Sequence, residues 1–575
     1  MKVLLVALNA RYVHSSLALR YLKSYYEKWA DTENEVIIQE FTINDSIERV
    51  TAEIYKSKPD IVGFSCYIWN IVLVLETARR LKKVKEDLII LLGGPEVSFE
   101  PEKILEQCGF IDYIISGEGE RAFLDFLKSF EKNNQTPNKV IKASSIDDLG
   151  NIPFPYTDDD LKHLKDKIIY YESSRGCPFR CSYCLSSAVN GVRFMPMERV
   201  KTDLYSFIKA EVKQVKFVDR TFNCNKKRAM EIWSFLSEKA KPNMNFHFEI
   251  CADLLDDEML DFLNRVPTGL FQFEIGVQST NVNTIRLINR SMDFEKVSAS
   301  VKRIAQGENI HQHLDLIAGL PAEDYAYFRK SFNDVYKLKP ERIQLGFLKL
   351  LKGSPIRRQA SEFGYVYTDS PPYEVLKNNT LSYDEILRLK MIEDLLEKYY
   401  NTHRFDNALE YITGRFDTCF DFFEEFSFFW ERNNLHTVSH SNEALYLLLL
   451  DFYESLFDDG SKLFKDILKF DFILHQKNYR LPERFCGPKI KNFKERCFEF
   501  LKDEENLKKH LPHYKGLTAK QIYKQVNFEP FSYDVMEVIK NKQNTVPEPK
   551  QVTILFDYKT RVQVVQKARA YKIRI

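Results

Sequence analysis

Glu172-Ser-Ser-Arg-Gly-Cys-Pro-Phe-Arg-Cys-Ser-Tyr-Cys-Leu185 sets three thiols, Cys177, Cys181 and Cys184, within eight residues. Three thiolates can hold three corners of a 4Fe-4S cube, whereas structural zinc usually takes four protein ligands, often as two distant C-x2-C pairs. No fourth cysteine lies nearby. The shortfall leaves one iron open to a small molecule; a zinc loop or three unligated thiols is the alternative. The apolar run that delivers the loop, Lys167–Ser173, reads as a strand. Five more follow, each after a helical segment: Gln214–Asp219, Asn245–Cys251, Gly269–Val277, His311–Ala318 and Arg342–Leu348. Six such repeats predict a partial (β/α)6 barrel with its chemistry at the carboxyl ends of the strands, and the cysteines follow the first of them.

Upstream, short apolar runs alternate with amphipathic ones. Val3–Leu8, Val36–Gln39, Ile61–Cys66, Leu88–Leu92 and Tyr113–Ser116 read as strands, and Ser16–Trp29 and Val72–Lys85 carry helical periodicity. Five strands with intervening helices predict an α/β, doubly wound, five-stranded parallel sheet of Rossmann type, whose ligand lies at the carboxyl strand ends. The loops to examine are therefore Asn9–Ser16, Ser65–Asn70, Gly93–Glu100 and Gly117–Arg121. The expected division is 1–135 for this sheet, 136–165 for a linker with Asn151-Ile-Pro-Phe-Pro-Tyr156, 166–375 for the barrel and 376–575 for a mainly helical C-terminal domain.

The three-then-two spacing of the cysteines, with an aromatic residue before the third, resembles the radical S-adenosylmethionine (SAM) superfamily. That resemblance implies SAM on the open iron, reductive cleavage to a 5′-deoxyadenosyl radical, and Tyr183 near the adenine. Glu274, Gly276, Gln278 and Ser279 fit the superfamily's E-x-G-x-Q-S segment, and Gly319-Leu-Pro321 its later G-L-P. Carboxylates at strand ends are costly to bury without a partner, so Glu249, Glu274 and Asp315 are further expected contacts to SAM or substrate. The Gly-Gly-Glu common after the second strand is replaced by Val218-Asp-Arg-Thr-Phe222.

The upstream loops resemble the cobalamin-binding domain that precedes many radical SAM cores. The resemblance implies cobalamin contacts from Asn9, His14, Ser65, Cys66, Tyr67, Gly93, Gly94, Pro95, Glu96, Gly117 and Glu118. Tyr12-Val-His14-Ser-Ser-Leu17 keeps the histidine of D-x-H-x-x-G but lacks its acid and glycine, so a polar contact is expected of His14 rather than an axial bond. The whole chain is similar to an uncharacterised bacterial group of cobalamin-domain radical SAM proteins with a C-terminal domain of unknown function. The implied activity is methyl transfer to an unactivated carbon. Rearrangement, cyclisation or reduction with the same cofactors, on a modified nucleoside or tRNA, and a noncatalytic cobalamin or iron-sulfur sensor are the alternatives. A flavodoxin or ferredoxin is the expected reductant.

At 575 residues with a formal net charge of +1, the chain suggests three or four units and no general affinity for polyanions. From Leu481 onward 20 Lys/Arg stand against 11 Asp/Glu, which makes RNA conceivable, but no compact RNA-binding motif accompanies them. No stretch approaches a membrane span and no secretory leader is evident, so a soluble cytoplasmic protein with reduced thiols is expected. A helical region should begin near Ser382. The aromatic run Phe416–Trp430 should be buried, and Gln551–Phe556 with Arg561–Val565 should form a terminal β-hairpin.

Overall fold

The computed structural model describes residues 1–133, 138–188, 191–477, 480–542, 546–559 and 567–575. These form two compact units, residues 1–325 with 346–383 and residues 326–345 with 384–575.

In the first unit, β1 (Lys2–Asn9), β2 (Glu35–Thr42), β3 (Ile61–Ser65), β4 (Ile89–Gly93), β5 (Tyr113–Ser116) and β6 (Val140–Lys142) make a parallel sheet ordered β2-β1-β3-β4-β5-β6. It has six strands rather than five. The extra strand is three residues long, too short for a period to show, and falls in the stretch read as linker. Strand order reverses between β1 and β3, and the crevice above that switch point is where such sheets take ligands. Buried Asn70 spans it, donating through Nδ2 to the Leu8 carbonyl at 3.1 Å and the Ser65 carbonyl at 2.9 Å. Helix Leu17–Trp29 leaves the β1 loop at Ser16, whose hydroxyl caps the Leu19 amide.

The second sheet contains β7 (Ile169–Tyr171), β10 (Gln214–Phe217), β11 (Asn245–Ile250), β12 (Phe271–Gln278), β13 (His311–Ala318) and β14 (Arg342–Phe347), in the order β14-β13-β12-β11-β10-β7. A hairpin of β8 (Ser174–Gly176) and β9 (Val192–Phe194) brackets the cysteine loop. Alternation along the strands decides what the barrel contains. Phe217, Phe248 and Phe273 are fully buried on the face that also packs Trp233. Lys216, Glu249 and Glu274 alternate with them and share the opposite face, with Glu249 directly beside Glu274 in the register. A two-strand ribbon, β15 (Val366–Tyr367) with β16 (Val375–Lys377), follows.

The second unit is mainly helical. Helix Tyr383–Leu395 begins where expected, and Phe420, Phe422, Phe423, Phe426 and Trp430 of helix Cys419–Arg432 are fully buried. They pack on Phe332, Phe452 and Tyr399 as core. The terminal strands are three: β17 (Val526–Phe531), β18 (Val552–Asp557) and β19 (Arg569–Ile573), antiparallel and in that order. Strand β18 is the first arm of the expected hairpin, but its partners are β17 and β19; Arg561–Val565 lies outside the described residues. No helix among the described residues is long and apolar enough to cross a membrane.

Candidate functional site

A cavity of about 640 Å³ opens above the first sheet's switch point. Asn9, His14, Ser65, Tyr67, Gly93, Gly94, Gly117 and Glu118 line one side, and Tyr170, Val218 and Arg220 from the barrel strand ends line the other. Gly94 has φ +112°, and a β-carbon there would stand 2.6 Å from the Cys66 carbonyl oxygen. Only glycine keeps that wall flat. The Ser65 hydroxyl is buried beside it without a hydrogen-bond partner. A smooth glycine wall and an orphaned hydroxyl suit a large flat cofactor whose polar tail lies against backbone.

Other expected contacts sit differently. Cys66, Pro95 and Glu96 do not line the cavity. Cys66 is fully buried, and Glu96 pairs with Lys352 at 3.0 Å and accepts the Tyr373 hydroxyl. Glu118 reaches the cavity, yet its carboxylate is committed to Arg175, Arg193 and the Ile146 amide. His14 bonds through Nδ1 to the Tyr170 hydroxyl at 2.7 Å, and burial with Arg11 and Lys216 nearby holds its pKa below the usual value. Trp69, unmarked in the sequence reading, stacks on Tyr67 at 4.4 Å and lines the same wall.

The cysteine loop is pinned from both flanks. The Ser182 amide donates to the Ile288 carbonyl, and the Ser182 carbonyl accepts from Ile356. None of the three thiols is in a disulfide. Burial pushes the Cys181 thiol up, and Cys184 and Cys177 are near enough to raise it further. Arg290 opposes this, with Nη1 3.8 Å from Cys181 Sγ and donating to the Tyr183 hydroxyl at 3.2 Å, while Nη2 donates to the Gly276 carbonyl. Cys177 Sγ lies 3.5 Å from the Thr221 hydroxyl. Among the described residues no three His, Cys, Asp or Glu side chains gather at the distance of one metal ion. Three unbonded thiols with a guanidinium against one of them form a donor set suited to an anionic cluster.

The glycine at 276 is explained by its neighbours, since a β-carbon would stand 2.3 Å from Gln278 Nε2 and 3.3 Å from Arg290 Nη2. Gln278 follows with φ +69° at an irregularity of the β12–β13 pairing, and its Oε1 is buried without a partner. Ser279 and Gly319 serve the frame instead. The Ser279 hydroxyl donates to Glu323 at 2.5 Å, and the Gly319 carbonyl accepts from Tyr365 and Asn378.

Inside the barrel, Lys216 Nζ stands 2.9 Å from Glu274 and 4.0 Å from Glu249. His247 lies 3.0 Å from Glu274, and His313 lies 3.1 Å from Asp315. Lys216 and His247 hold Glu274 well below the carboxylate range despite its burial. Burial and the charges of Glu274 and Glu249 drive Asp315 well upward. Glu249 is pushed up to about 7 by burial and the neighbouring Glu274. Its ionisation therefore costs more in the folded chain than in the unfolded one, so its contribution is complete below pH ~4 and lost as pH rises through about 7. In cofactor-free protein, Glu249→Gln is expected to gain about 2–3 kcal/mol on wild type between pH 5 and pH 8. A melting-temperature difference that is the same at both pH values would contradict this assignment.

Residues 3–127 match the B12 binding domain, 171–335 the radical SAM superfamily and 361–556 a protein of unknown function, DUF4080. An uncharacterized methyltransferase of Pyrococcus horikoshii is 30% identical over 330 residues, spanning 53% of this chain and 70% of that protein. The chain belongs to the cobalamin-binding radical SAM family. A 4Fe-4S cluster, SAM and cobalamin are the cofactors of this family member. The cobalamin-dependent radical SAM methyltransferase TokK of Streptomyces tokunonensis is 24% identical over 330 residues, covering 52% of this chain and 48% of TokK, so the chain spans about half of that relative. Its fold is shared with OxsB, solved with aqua-cobalamin and SAM bound (TM-score 0.55, 16% identity, 82% of this chain and 78% of OxsB). It is shared also with TsrM from Kitasatospora setae, solved with tryptophan and a SAM analog (TM-score 0.53, 16% identity, 64% of this chain and 77% of TsrM).

Sequence reasoning missed Lys216, Arg290, Arg175 and Arg220. A lysine in the four-residue strand Gln214-Val-Lys-Phe217 was the one available signal, because alternation points it away from Val215 and Phe217. Arg290 stands in no recognisable motif and reaches Cys181 from 109 residues away.

Proposed function

We propose that this family member transfers a methyl group to an unactivated carbon, with residues 1–135 and the edge strand β6 as the cobalamin domain, the rest of 136–165 as the linker, 166–375 as the radical SAM barrel and 376–575 as an accessory helical domain. The observation that carries this reading is the single cavity lined at once by the first sheet's glycine loops and by the barrel strand ends. The loops that would hold a corrin and the barrel strand ends that would hold substrate thus line the same space.

When bound, the cluster and SAM supply a 5′-deoxyadenosyl radical, and methylcobalamin supplies the methyl group. The residues of the chain position and shield. Cys177, Cys181 and Cys184 would hold the cluster, and Arg290 would balance its charge. Tyr183, Gly276 and Gln278 would stand around SAM, and the Gln278 carbonyl oxygen is buried without a partner. Lys216, Glu249, Glu274 and Asp315 would orient the polar groups of SAM and substrate inside the barrel. Ser65, Tyr67, Gly93, Gly94 and Gly117 would form the cobalamin cradle, with His14 as a polar neighbour oriented by Tyr170. A flavodoxin or ferredoxin in the cytoplasm would provide electrons.

The test is anaerobic turnover with SAM, reductant and hydroxocobalamin. Wild type is expected to make both 5′-deoxyadenosine and S-adenosylhomocysteine. Gly93 has an ordinary backbone conformation, and a β-carbon there meets only the Ile115 carbonyl, at 3.8 Å. Gly93→Leu should therefore fold and load its cluster while filling the cradle. Cobalamin affinity should fall about tenfold or more, and S-adenosylhomocysteine with it, with 5′-deoxyadenosine retained. Equal S-adenosylhomocysteine from a Gly93→Leu chain that binds no cobalamin would exclude the proposal.

A further inference from the structure

Methyl transfer between two cofactors requires that their reacting centres be held to within about an ångström, because small misplacements cost large factors in rate. Here the two centres would rest on different parts of the first unit, cobalamin on the loops of the first sheet and the cluster on the cysteine loop of the barrel. Something must fix one against the other.

Arg175 lies two residues before Cys177, on β8. Its Nε donates to Glu172 at 2.8 Å, its Nη1 to Glu118 at 3.1 Å and its Nη2 to Glu120, while the guanidinium stands over the Tyr21 ring at 5.6 Å. Glu118 belongs to the loop after β5, Glu120 to the first turn of the helix Gly119–Asn133 that follows, and Tyr21 to the helix after β1. Arg193 is the register partner of Arg175 on β9, and it grips Glu118 from the other side, at 3.2 Å to Oε2 and through a second bond to Oε1. Both strands that bracket the cysteine loop are thus tied to one carboxylate of the first sheet. The side chains of Arg175 and Glu120 are only 12% and 6% exposed. Between them and the cysteines the hairpin has little freedom: Gly176 has φ +96°, and a β-carbon there would stand 2.1 Å from the Gly191 carbonyl oxygen.

A buried ionic group of this kind is a poor source of stability, because desolvation cancels most of the attraction. What it supplies is direction. A planar guanidinium with several fixed N–H vectors donates to its carboxylates in one arrangement, which a lysine or an apolar contact would not enforce. We propose that Arg175, with Arg193, is a positioning residue that sets the cysteine loop at one distance from the corrin cradle by clasping the Glu118 and Glu120 carboxylates. The inference rests on the cofactor placement given above, and it reassigns Glu118 from cofactor contact to clasp.

The test uses the full-length chain loaded with cluster and cobalamin, with SAM added only for the product assay. Pulsed dipolar EPR measures the separation of cob(II)alamin from the reduced cluster. Wild type is expected to give one narrow distance distribution. Arg175→Met, loaded with both cofactors as shown by iron content and cobalamin absorbance, is expected to give a distribution at least about twice as wide, and a lower ratio of S-adenosylhomocysteine to 5′-deoxyadenosine. Arg175→Lys should fall between the two. An Arg175→Met distribution as narrow as wild type overturns the proposal, as does a wild-type distribution already broad. If Arg175→Met does not accumulate folded, Arg193→Met, on the more exposed arm, carries the same test, and an unchanged width there overturns it. A wild-type chain that takes up only one of the two cofactors overturns the cofactor placement itself, and the clasp with it.

Discussion

Cys181→Ala is expected to leave a folded chain that carries no 4Fe-4S signal and makes 5′-deoxyadenosine at less than about one-thousandth of the wild-type rate, the scale set by losing the group that carries the chemistry. Three protein thiolates are the minimum that leaves one iron for SAM, so no spare ligand exists within the motif. Cys251 and Cys66 are not spare ligands. Cys251 is turned to Asp253, with its Sγ 2.9 Å from the carboxylate, and Cys66 is sealed in the core of the first sheet with its thiol against the Phe64 carbonyl. Cys66→Ala is therefore the control: it removes a buried sulfur for about 1 kcal/mol and should retain the cluster. Anaerobic reconstitution followed by absorbance and EPR decides the matter. A Cys181→Ala protein with a full cluster signal would transfer the ligand role elsewhere.

The second large effect concerns Arg290. Its guanidinium stands 3.8 Å from Cys181 Sγ, where the Tyr183 phenol and the surrounding thiols keep it charged against the cost of its burial. A positive charge favours the more negative, reduced cluster. At an effective dielectric of about 20, one charge roughly 4–8 Å from the added electron is worth about 2–4 kcal/mol. For a one-electron couple that is on the order of 100 mV. Arg290→Met nearly preserves volume and should lower the reduction potential by that amount, in an EPR-monitored redox titration of the loaded protein. Production of 5′-deoxyadenosine with a weak reductant should fall in parallel and recover with a stronger one. A potential within about 20 mV of wild type would show that Arg290 only shapes the loop.

The outcomes at particular residues show what could be read without coordinates. The barrel strands were legible because phenylalanines at alternate positions demand one buried face, and the charged residues between them then had to point inward. The short strand Val140–Lys142 was not, since three residues carry no period. Glu96 and Glu118 were expected to face a cofactor because they lie in glycine-rich loops at strand ends. Yet Glu96 meets Lys352, and Glu118 meets Arg175 and Arg193. A loop carboxylate can turn toward ligand or toward protein, and its own neighbours in the chain do not say which.

From the sequence alone come the three cysteines, the two parallel sheets and the glycines of the cradle. These are local requirements of ligand spacing, side-chain alternation and backbone freedom, and each is met within a few adjacent residues. The tertiary structure alone decides which charges are spent on one another. Lys216 finds Glu274 across 58 residues, and Arg290 finds Cys181 across 109. Such pairings arise where strands and loops from distant parts of the chain are buried together. Whether a buried carboxylate is neutral, paired or open to a ligand depends on those neighbours.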